Sequence, residues 1–544
     1  MAAEGYDFII IGAGSAGCVL ANRLSADPAA RVLLLEAGGK DASILVRMPA
    51  GAADLFSVKG AYNWGFWTEP EPHLDGRRLF WPRGRGWGGS SSINGMVYIR
   101  GHARDYDRWR QMGLAGWGYA DVLPYFLRSE GFEGGGDAFH GADGPLHVSR
   151  AASRNPVFSS FIEAGAQAGH SLTEDFNGAQ QEGFGPYQLT IRDGRRWSAA
   201  RAYLHPALKR PNLTAKTGAR ITRILIEKGV AVGVDYVQGG QARNARATCE
   251  VLLCAGSVQS PQILQLSGIG DPAALAAAGV ETRHALPGVG ANLQDHLDII
   301  LSWETPGVKT AVSYNRGLSR LTTGVRYMLA NQGPGRENFL EAGAFLKSRP
   351  DLEAPDLQLH CLLAIMKDHG KQVSLKDGFS VHVCQLRPES RGRIGLRSAD
   401  PFDDPAIFAG YLATDEDKRA LRTGVAIVRD VAAQKALRAI SGAEVEPGDK
   451  VASDADIDAW IRGTAETVYH PVGTCRMGAE GDAMAVVDGS LRVNGLGALR
   501  VVDASAMPTL IGGNTNAPTM MIAEKAADMI LGRAAPSPIE MAAT

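Results

Sequence analysis

Two side chains have the chemistry to take a proton from a hydroxyl and to hold the oxygen left behind. His470 stands in YHPVGTCRMG (Tyr469 to Gly478), and Asn514 in GGNTNAPTMM. A neutral imidazole titrates near ~6.5 and accepts a proton at working pH. An asparagine is no base there, but its amide donates to an oxygen. The carrier of His470 is stiff. A residue before proline is pushed toward extended or turn backbone, Pro471 has no N–H to give to a sheet, and glycines follow at 473 and 478. With 12 histidines in the chain, residue type alone does not select His470; the elements that must position it have to be read first.

The chain opens with a phosphate-binding pattern. DFIIIGAGSAGCVLANRLS is a short β-branched run, a glycine loop and a helical repeat. A continuous apolar run suits a strand buried on both faces. Gly12, Gly14 and Gly17 form G-x-G-x-x-G: the first for the tight turn, the second for close approach of a pyrophosphate, the third for helix–strand packing. The helix N-terminus offers free N–H groups and a partial positive charge. ARVLLLEAG follows as a second strand ending in Glu36, where a carboxylate accepts ribose hydroxyls. FAD and NAD both satisfy this pattern.

A second glycine cluster, WPRGRGWGGSSSINGMVYIRG (Trp81 to Gly101), is too rich in glycine for a core strand or helix. It is read as a loop whose backbone lies against something flat and polar. Gly88 and Gly89 remove side chains, while Ser90 to Ser92 and Asn94 offer hydrogen bonds.

Bulk properties narrow the class. The 544 residues exceed one ordinary core and predict two intertwined domains, or one large domain with an appended part. A net charge of −2 from 56 basic and 58 acidic residues argues against nucleic acid as a partner. Six cysteines form no C-x-x-C pair and no metal spacing, so they are read as reduced, mostly buried thiols of a cytoplasmic protein that holds no metal. No signal peptide or membrane-spanning run is predicted.

The second glycine cluster resembles the first signature of the glucose–methanol–choline (GMC) oxidoreductases, and GSVQSPQILQLSGIG (Gly256 to Gly270) their second. LPGVGANLQDH (Leu286 to His296), YHPVGTCRMG and RVVDASAMPTLIGGNTNAPTMMIAEKAADMI complete five ordered motifs. The resemblance implies FAD and a fold of α/β plus α+β class: a Rossmann-like FAD-binding domain with a substrate domain built on an antiparallel sheet covered by helices. It assigns FAD binding to residues 1–155, 206–304 and 462–544, and the substrate domain to residues 156–205 and 305–461. Cofactor positions implied are Gly12, Gly14, Ser15, Gly17, Glu36, Ala37, Gly88, Gly89, Ser92, Asn94, Gly95, Met96, Val97, Ala255, Gly256, Asp503, Ala504, Asn516 and Pro518. Ile93 stands where some members carry a flavin-linking histidine, so non-covalent FAD is expected. His470 becomes the base, worth about 10²–10⁴ in rate, aimed by Pro471 and Gly473, and Asn514 the orienting donor. His102, His140, His205, His296, His360, His369 and His382 are read as structural. The helix opened by Pro518 is read with Met521, Ile522, Ala526, Met529 and Ile530 as its buried face. Its N-terminus is expected at the flavin pyrimidine.

From Thr305 to Trp460, DLQLHCLLA and GFSVHVCQLRPESRGRIGLRS read as strands, and DEDKRALRTGVAIVRDVA as an amphipathic helix. This window holds no evident carboxylate for a quaternary ammonium beyond Glu341, with Phe345 nearby. Within the family the chain most resembles the FAD-dependent alcohol dehydrogenases of bacterial alkane degradation, with choline dehydrogenases next. That implies oxidation of primary aliphatic or aromatic alcohols to aldehydes, with electrons passed to a quinone-type acceptor. The rivals are an alcohol oxidase reducing O2 to H2O2, a choline dehydrogenase and a flavin-scaffolded hydroxynitrile lyase. GLSRLTTGVRYMLANQG (Gly317 to Gly333) is read either as a helix packed on its own domain, the plainer alternative, or as a peripheral membrane contact on the inner face of the cell membrane.

Overall fold

The computed structural model describes residues 4–152, 154–368 and 372–540; His369 lies outside them. The apolar run at the start forms the strand Glu4–Ile11, paired in parallel with Val32–Leu35 on one side and Gln241–Leu253 on the other. Leu213–Lys216 and Leu499–Val501 extend this parallel sheet at its two ends. Ile9, Ile10 and Ile11 are buried, as are all of Val32–Leu35, as strands of a parallel sheet covered on both faces should be. The long strand Gln241–Leu253 also carries an antiparallel flap formed by Val230–Gln238 and Ala219–Glu227.

The C-terminal helix, Asn516–Ile530, is buried more completely than its pattern predicts. Every residue from Ala517 to Asp528 is buried, whereas Met529 and Ile530 are only partly so. The charges of this helix explain how. Glu524 is paired with Arg23 at 2.7 Å and Arg128 at 3.0 Å, and Asp528 with Arg128 at 2.8 Å. Arg23 lies on the glycine-loop helix Ser15–Leu24, and Arg128 on the helix Tyr119–Ser129. Buried carboxylates are tolerated only when paired in this way.

The second sheet is antiparallel throughout. Its order is Glu444–Glu446, Leu297–Glu304, Gly378–Gln385, Leu357–Leu362, Ala342–Leu346 and Gly183–Pro186, with Glu466–Thr467 also on Leu297–Glu304. Side chains alternate in the expected two-residue period. Leu297, Ile299, Leu301, Leu357, Leu359, Val381 and Val383 face one hydrophobic core. Asp298, Ile300, His360, Leu362 and His382 face the opposite side, a cavity. The amphipathic helix, Asp415–Ala433, covers the core face, with Thr414 capping its N-terminus. Gly424 lies so close that a Cβ there would stand 2.3 Å from Val383 Cγ1. The two sheets therefore meet at one cavity, floored by the antiparallel one and opened by the glycine loop of the parallel one.

None of the six cysteines is paired; Cys249 is exposed and the others are buried. Among the described residues no helix is long and apolar enough to cross a membrane.

Candidate active site

The cavity, of about 660 Å³, runs from the first glycine loop to the floor of the antiparallel sheet. At its first end the backbone is shaped for a dinucleotide. Gly12 has φ +95°, and a Cβ there would meet Cys254 O at 2.7 Å. A Cβ on Gly17 would stand 1.9 Å from Gly12 O, so this glycine serves packing. Gly14 differs: the nearest atom to its added Cβ is Cys254 O at 3.9 Å, and a larger side chain would fill the cavity at the helix N-terminus. Glu36 accepts from the N–H groups of Ala13 (2.8 Å), Gly38 (2.7 Å) and Gly86 (2.9 Å). A carboxylate has about four lone-pair sites, which leaves one for a ribose hydroxyl. Burial raises the Glu36 carboxyl, and those three N–H groups oppose the rise. Asp503 accepts from Gly256 N–H, Ser260 and Ser505, closing the turn beside Ala255 and Ala504. A helix N-terminus without a side-chain cap, a glycine opening and an acceptor for ribose together fit FAD.

Ser15, Ala37, Gly89, Asn94, Gly95, Met96, Val97, Ala255, Gly256, Asp503, Ala504 and Asn516 also line the cavity. Gly88, Ser92, Gly17 and Pro518 are not among its lining residues. Gly88 (φ +86°) donates to Ala13 O at 2.7 Å, tying the two glycine loops together. Ser92 donates to Trp87 O, and Pro518 lies behind Asn516 in the first turn of its helix. Asn94 is itself held, its Oδ1 accepting from Met96 N–H and from the buried Arg196.

At the far end His470 and Asn514 come together, with His470 Nε2 3.2 Å from Asn514 Nδ2. The hydrogen-bond chain through them fixes the tautomer. Leu386 O can only accept, so His296 Nε2 carries its proton (3.1 Å). Burial pushes the His296 imidazole down to about 3, so it is neutral and its Nδ1 is a bare lone pair. His470 Nδ1, 3.1 Å away, must therefore be the N–H donor, which leaves His470 Nε2 as the acceptor. Asn514 Nδ2 donates to that lone pair, and its Oδ1 accepts from Gln358 at 3.2 Å. Burial first, then His296, His360 and Arg83, push His470 well below the ordinary histidine value. The His470 ring is thus more firmly neutral than an unperturbed imidazole.

The perch has more supports than Pro471. Asp295 Oδ1 accepts the His470 backbone N–H at 2.7 Å, while its Oδ2 takes the hydroxyls of Tyr411 and Thr467. Gln294 and Val472 exchange backbone hydrogen bonds, and Arg83 donates to Tyr469 O. Tyr469 has φ +67°, a strained value for an aromatic residue. At Gly473 (φ +85°) a Cβ would stand 2.7 Å from Asn292 O. The motif LPGVGANLQDH is thereby explained: Gln294, Asp295 and His296 grip the His470 segment.

Three histidines read as structural are part of the site: His296 as described, and His360 and His382 on the cavity floor. Burial pushes His360 down to about 3. His382 Nδ1 lies 2.6 Å from Asp298 Oδ2. Two carboxylate residues, Asp298 and Glu466, line the cavity at this end, together with Tyr469. Both lie just outside the stretch from Thr305 to Trp460. Glu341 and Phe345 do not reach the cavity: Phe345 packs in a separate core, and Glu341 is buried with its carbonyl bonded to Tyr187 N–H. The signal was present in the strands, where polar residues recur every second position in DLQLHCL and FSVHV.

Over the cavity mouth lies the helix Gly317–Ala330, with Arg320, Thr323, Gly324 and Met328 on the lining. Buried Tyr327 packs it on the protein, its hydroxyl donating to Arg47 O and Gly194 O, while Leu318, Leu321, Val325, Met328 and Leu329 are exposed, Leu329 to 83%.

The GMC oxidoreductase N-terminal family model matches residues 6–298 and the C-terminal one residues 388–523. The chain is 48% identical over 538 residues to mitochondrial choline dehydrogenase of Homo sapiens, covering 97% of this chain and 90% of that one. It is 47% identical over 535 residues to the oxygen-dependent choline dehydrogenase of Photobacterium profundum, covering 98% and 94%. Among solved structures, pyridoxine 4-oxidase from Mesorbium loti is similar at 34% identity and TM-score 0.87, over 96% of this chain and 98% of that one.

Proposed function

This chain belongs to the GMC oxidoreductases, FAD enzymes that act on alcohols, and from that membership we propose that it dehydrogenates a primary alcohol bearing a cationic nitrogen, choline or a close amino alcohol, to the aldehyde. The observation that carries the substrate class is the pair of carboxylate residues, Asp298 and Glu466, on the wall of the cavity that also holds His470. A cation is stabilised where opposite charge faces it in a poorly screened space. Tyr469 on the same wall adds a ring face for such a cation. The full-length relatives named as choline dehydrogenases support this over the uncharged aliphatic alcohols that the sequence favours.

In this reading Glu36, the Gly14–Ser15 helix start, Asn94 and Asp503 hold FAD, which when bound supplies the acceptor for the α-hydride. No histidine stands among the lining residues of the second glycine loop, where Ile93 takes the place, and this supports non-covalent binding. His470 Nε2 takes the hydroxyl proton and Asn514 Nδ2–H donates to the same oxygen. The hydroxyl bridges the two nitrogens that in its absence lie 3.2 Å apart. The imidazolium that forms keeps its Nδ1–H on His296, whose low basicity stops the proton from moving further.

The acceptor that reoxidises the enzyme is, in this reading, a quinone met at a lipid surface, supported by the exposed apolar side chains of Gly317–Ala330 at the cavity mouth. An anaerobic panel of alcohols scored by flavin bleaching tests the substrate class. Choline and its amino-alcohol relatives bleach the flavin at lower concentration than butanol or benzyl alcohol; the reverse order refutes the reading. Peroxide yield on readmitting air, against reoxidation by a quinone analogue, separates an oxidase from a dehydrogenase.

A further inference from the structure

The inference drawn here rests on the reading that a cation sits beside Asp298. That carboxylate is not free. Its Oδ2 is already 2.6 Å from His382 Nδ1, and the two side chains project from paired strands, Leu297–Glu304 and Gly378–Gln385, onto the same cavity floor. Asp298 is 2% exposed, and neither its Oδ1 nor His382 Nε2 has a protein partner. With His382 protonated the pair is neutral; with His382 neutral the pair carries one negative charge. The titratable groups that face the imidazole are Asp298 on Leu297–Glu304, Glu466 on Glu466–Thr467 and His360 on Leu357–Leu362. His360 stays neutral, so the count of charge at this floor turns on the His382 proton.

We propose that His382 is a specificity-determining residue: its own proton and the cationic end of the alcohol are alternative counter-charges for Asp298, so the cavity takes a cationic alcohol only as His382 gives up its proton. An imidazolium and an ammonium a few ångströms apart, walled by protein, repel with little screening. One cation enters and one proton leaves for solvent, so the exchange balances. A neutral alcohol of the same shape requires no exchange. Burial pulls the His382 imidazole down, but the charge and hydrogen bond of Asp298, with Glu466 behind it, hold it above the ordinary histidine value. The exchange therefore still operates at neutral pH and ceases only above the raised His382 pKa. Below the His382 pKa, preference for the cationic alcohol falls about tenfold per pH unit; above it, preference is flat.

The test compares kcat/KM of the holoenzyme for choline and for the dimethylbutanol in which carbon replaces the quaternary nitrogen. Both substrates need His470, so the ratio of the two removes its titration. The expected ratio climbs about tenfold per pH unit to a plateau in the wild type and is flat in flavin-loaded His382→Gln. Calorimetry with tetramethylammonium, in two buffers of different ionisation heat, is expected to show proton release below the plateau. A flat wild-type ratio, a climb that persists in His382→Gln, or binding without proton release each overturn the inference. Should His382→Gln not retain flavin, the wild-type calorimetry decides. Oxidation of the dimethylbutanol with none of choline at any pH overturns the substrate reading, and this inference with it; a flat ratio overturns this inference alone.

Discussion

His470 Nδ1 lies 3.1 Å from His296 Nδ1, with the two rings perpendicular at 89° and the residues 174 positions apart in the chain. The contact orients the His470 ring as well as packing it, because a neutral His296 anchored on Leu386 O can only accept a hydrogen bond at that nitrogen. Replacing His296 by alanine frees His470 to adopt the other tautomer. Wrong-tautomer losses reach about 10⁴ in hydrolytic triads. Here Asn514 still donates to Nε2, so a loss of about 10- to 10²-fold in kcat is expected, with KM little changed. Rapid-mixing measurement of anaerobic flavin reduction checks it; a variant as fast as wild type refutes the tautomer argument.

His470→Ala is expected to keep its flavin, since His470 touches none of the glycine-loop cradle, and to lose about 10²–10⁴ in reduction rate. Flavin content by absorbance and single-turnover reduction are the two readouts. Loss of both together, with a folded protein, would mean that the residue serves cofactor binding instead.

Activity on a neutral alcohol is expected to stay level from about pH 6 to 8. The sign follows from the base. Catalysis needs neutral His470, a depressed pKa makes that form complete above the depressed value, and activity falls only as pH drops through it, well below 6.5. A kcat/KM profile for the dimethylbutanol that bends near the ordinary histidine value contradicts this.

Much of this arrangement is legible in the chain, and the reason for the rest is physical. Gly12, Gly14, Gly17 and Glu36 lie within one local βαβ unit, so spacing alone reports their geometry. The grip of Asp295 and His296 on His470 closes over 175 and 174 residues, and no local period encodes a contact of that span. The cavity floor falls between these cases. Asp298, His360 and His382 sit on polar positions of alternating strands, a readable period of two, yet each strand taken alone reads as a half-buried edge. Only cross-strand pairing, His360 to His382 and His382 to Ile300, gathers them. The C-terminal helix misleads differently, since its charged residues read as a solvent face but are paired to Arg23 and Arg128 inside the protein.

Gly12→Ala is expected to lower stability and abolish FAD retention. The substitution forces a side chain into φ +95° and sets its Cβ 2.7 Å from Cys254 O, a backbone atom that cannot yield cheaply. Left-handed strain and overpacking each cost about 1–3 kcal/mol. Thermal unfolding followed with and without added FAD tests this; the variant should melt lower and gain little from the cofactor. Unchanged melting with normal flavin content would show that the loop can shift to admit the methyl group.

The helix over the cavity mouth gives the last expectation. Leu318, Leu321, Met328 and Leu329 are between 59% and 83% exposed, and Arg316, Arg320 and Arg326 lie on or beside the same helix. Apolar side chains flanked by arginines insert into the boundary of an anionic bilayer, and the attraction weakens as salt screens the charge. The holoenzyme is expected to co-float with liposomes containing anionic lipid, less so at high ionic strength and scarcely with neutral lipid. Leu321→Glu together with Leu329→Glu should abolish flotation while sparing reduction of flavin by a soluble alcohol, since neither residue lines the cavity. Failure of the wild type to float with anionic vesicles at low salt removes the lipid surface from the account of how electrons leave the enzyme.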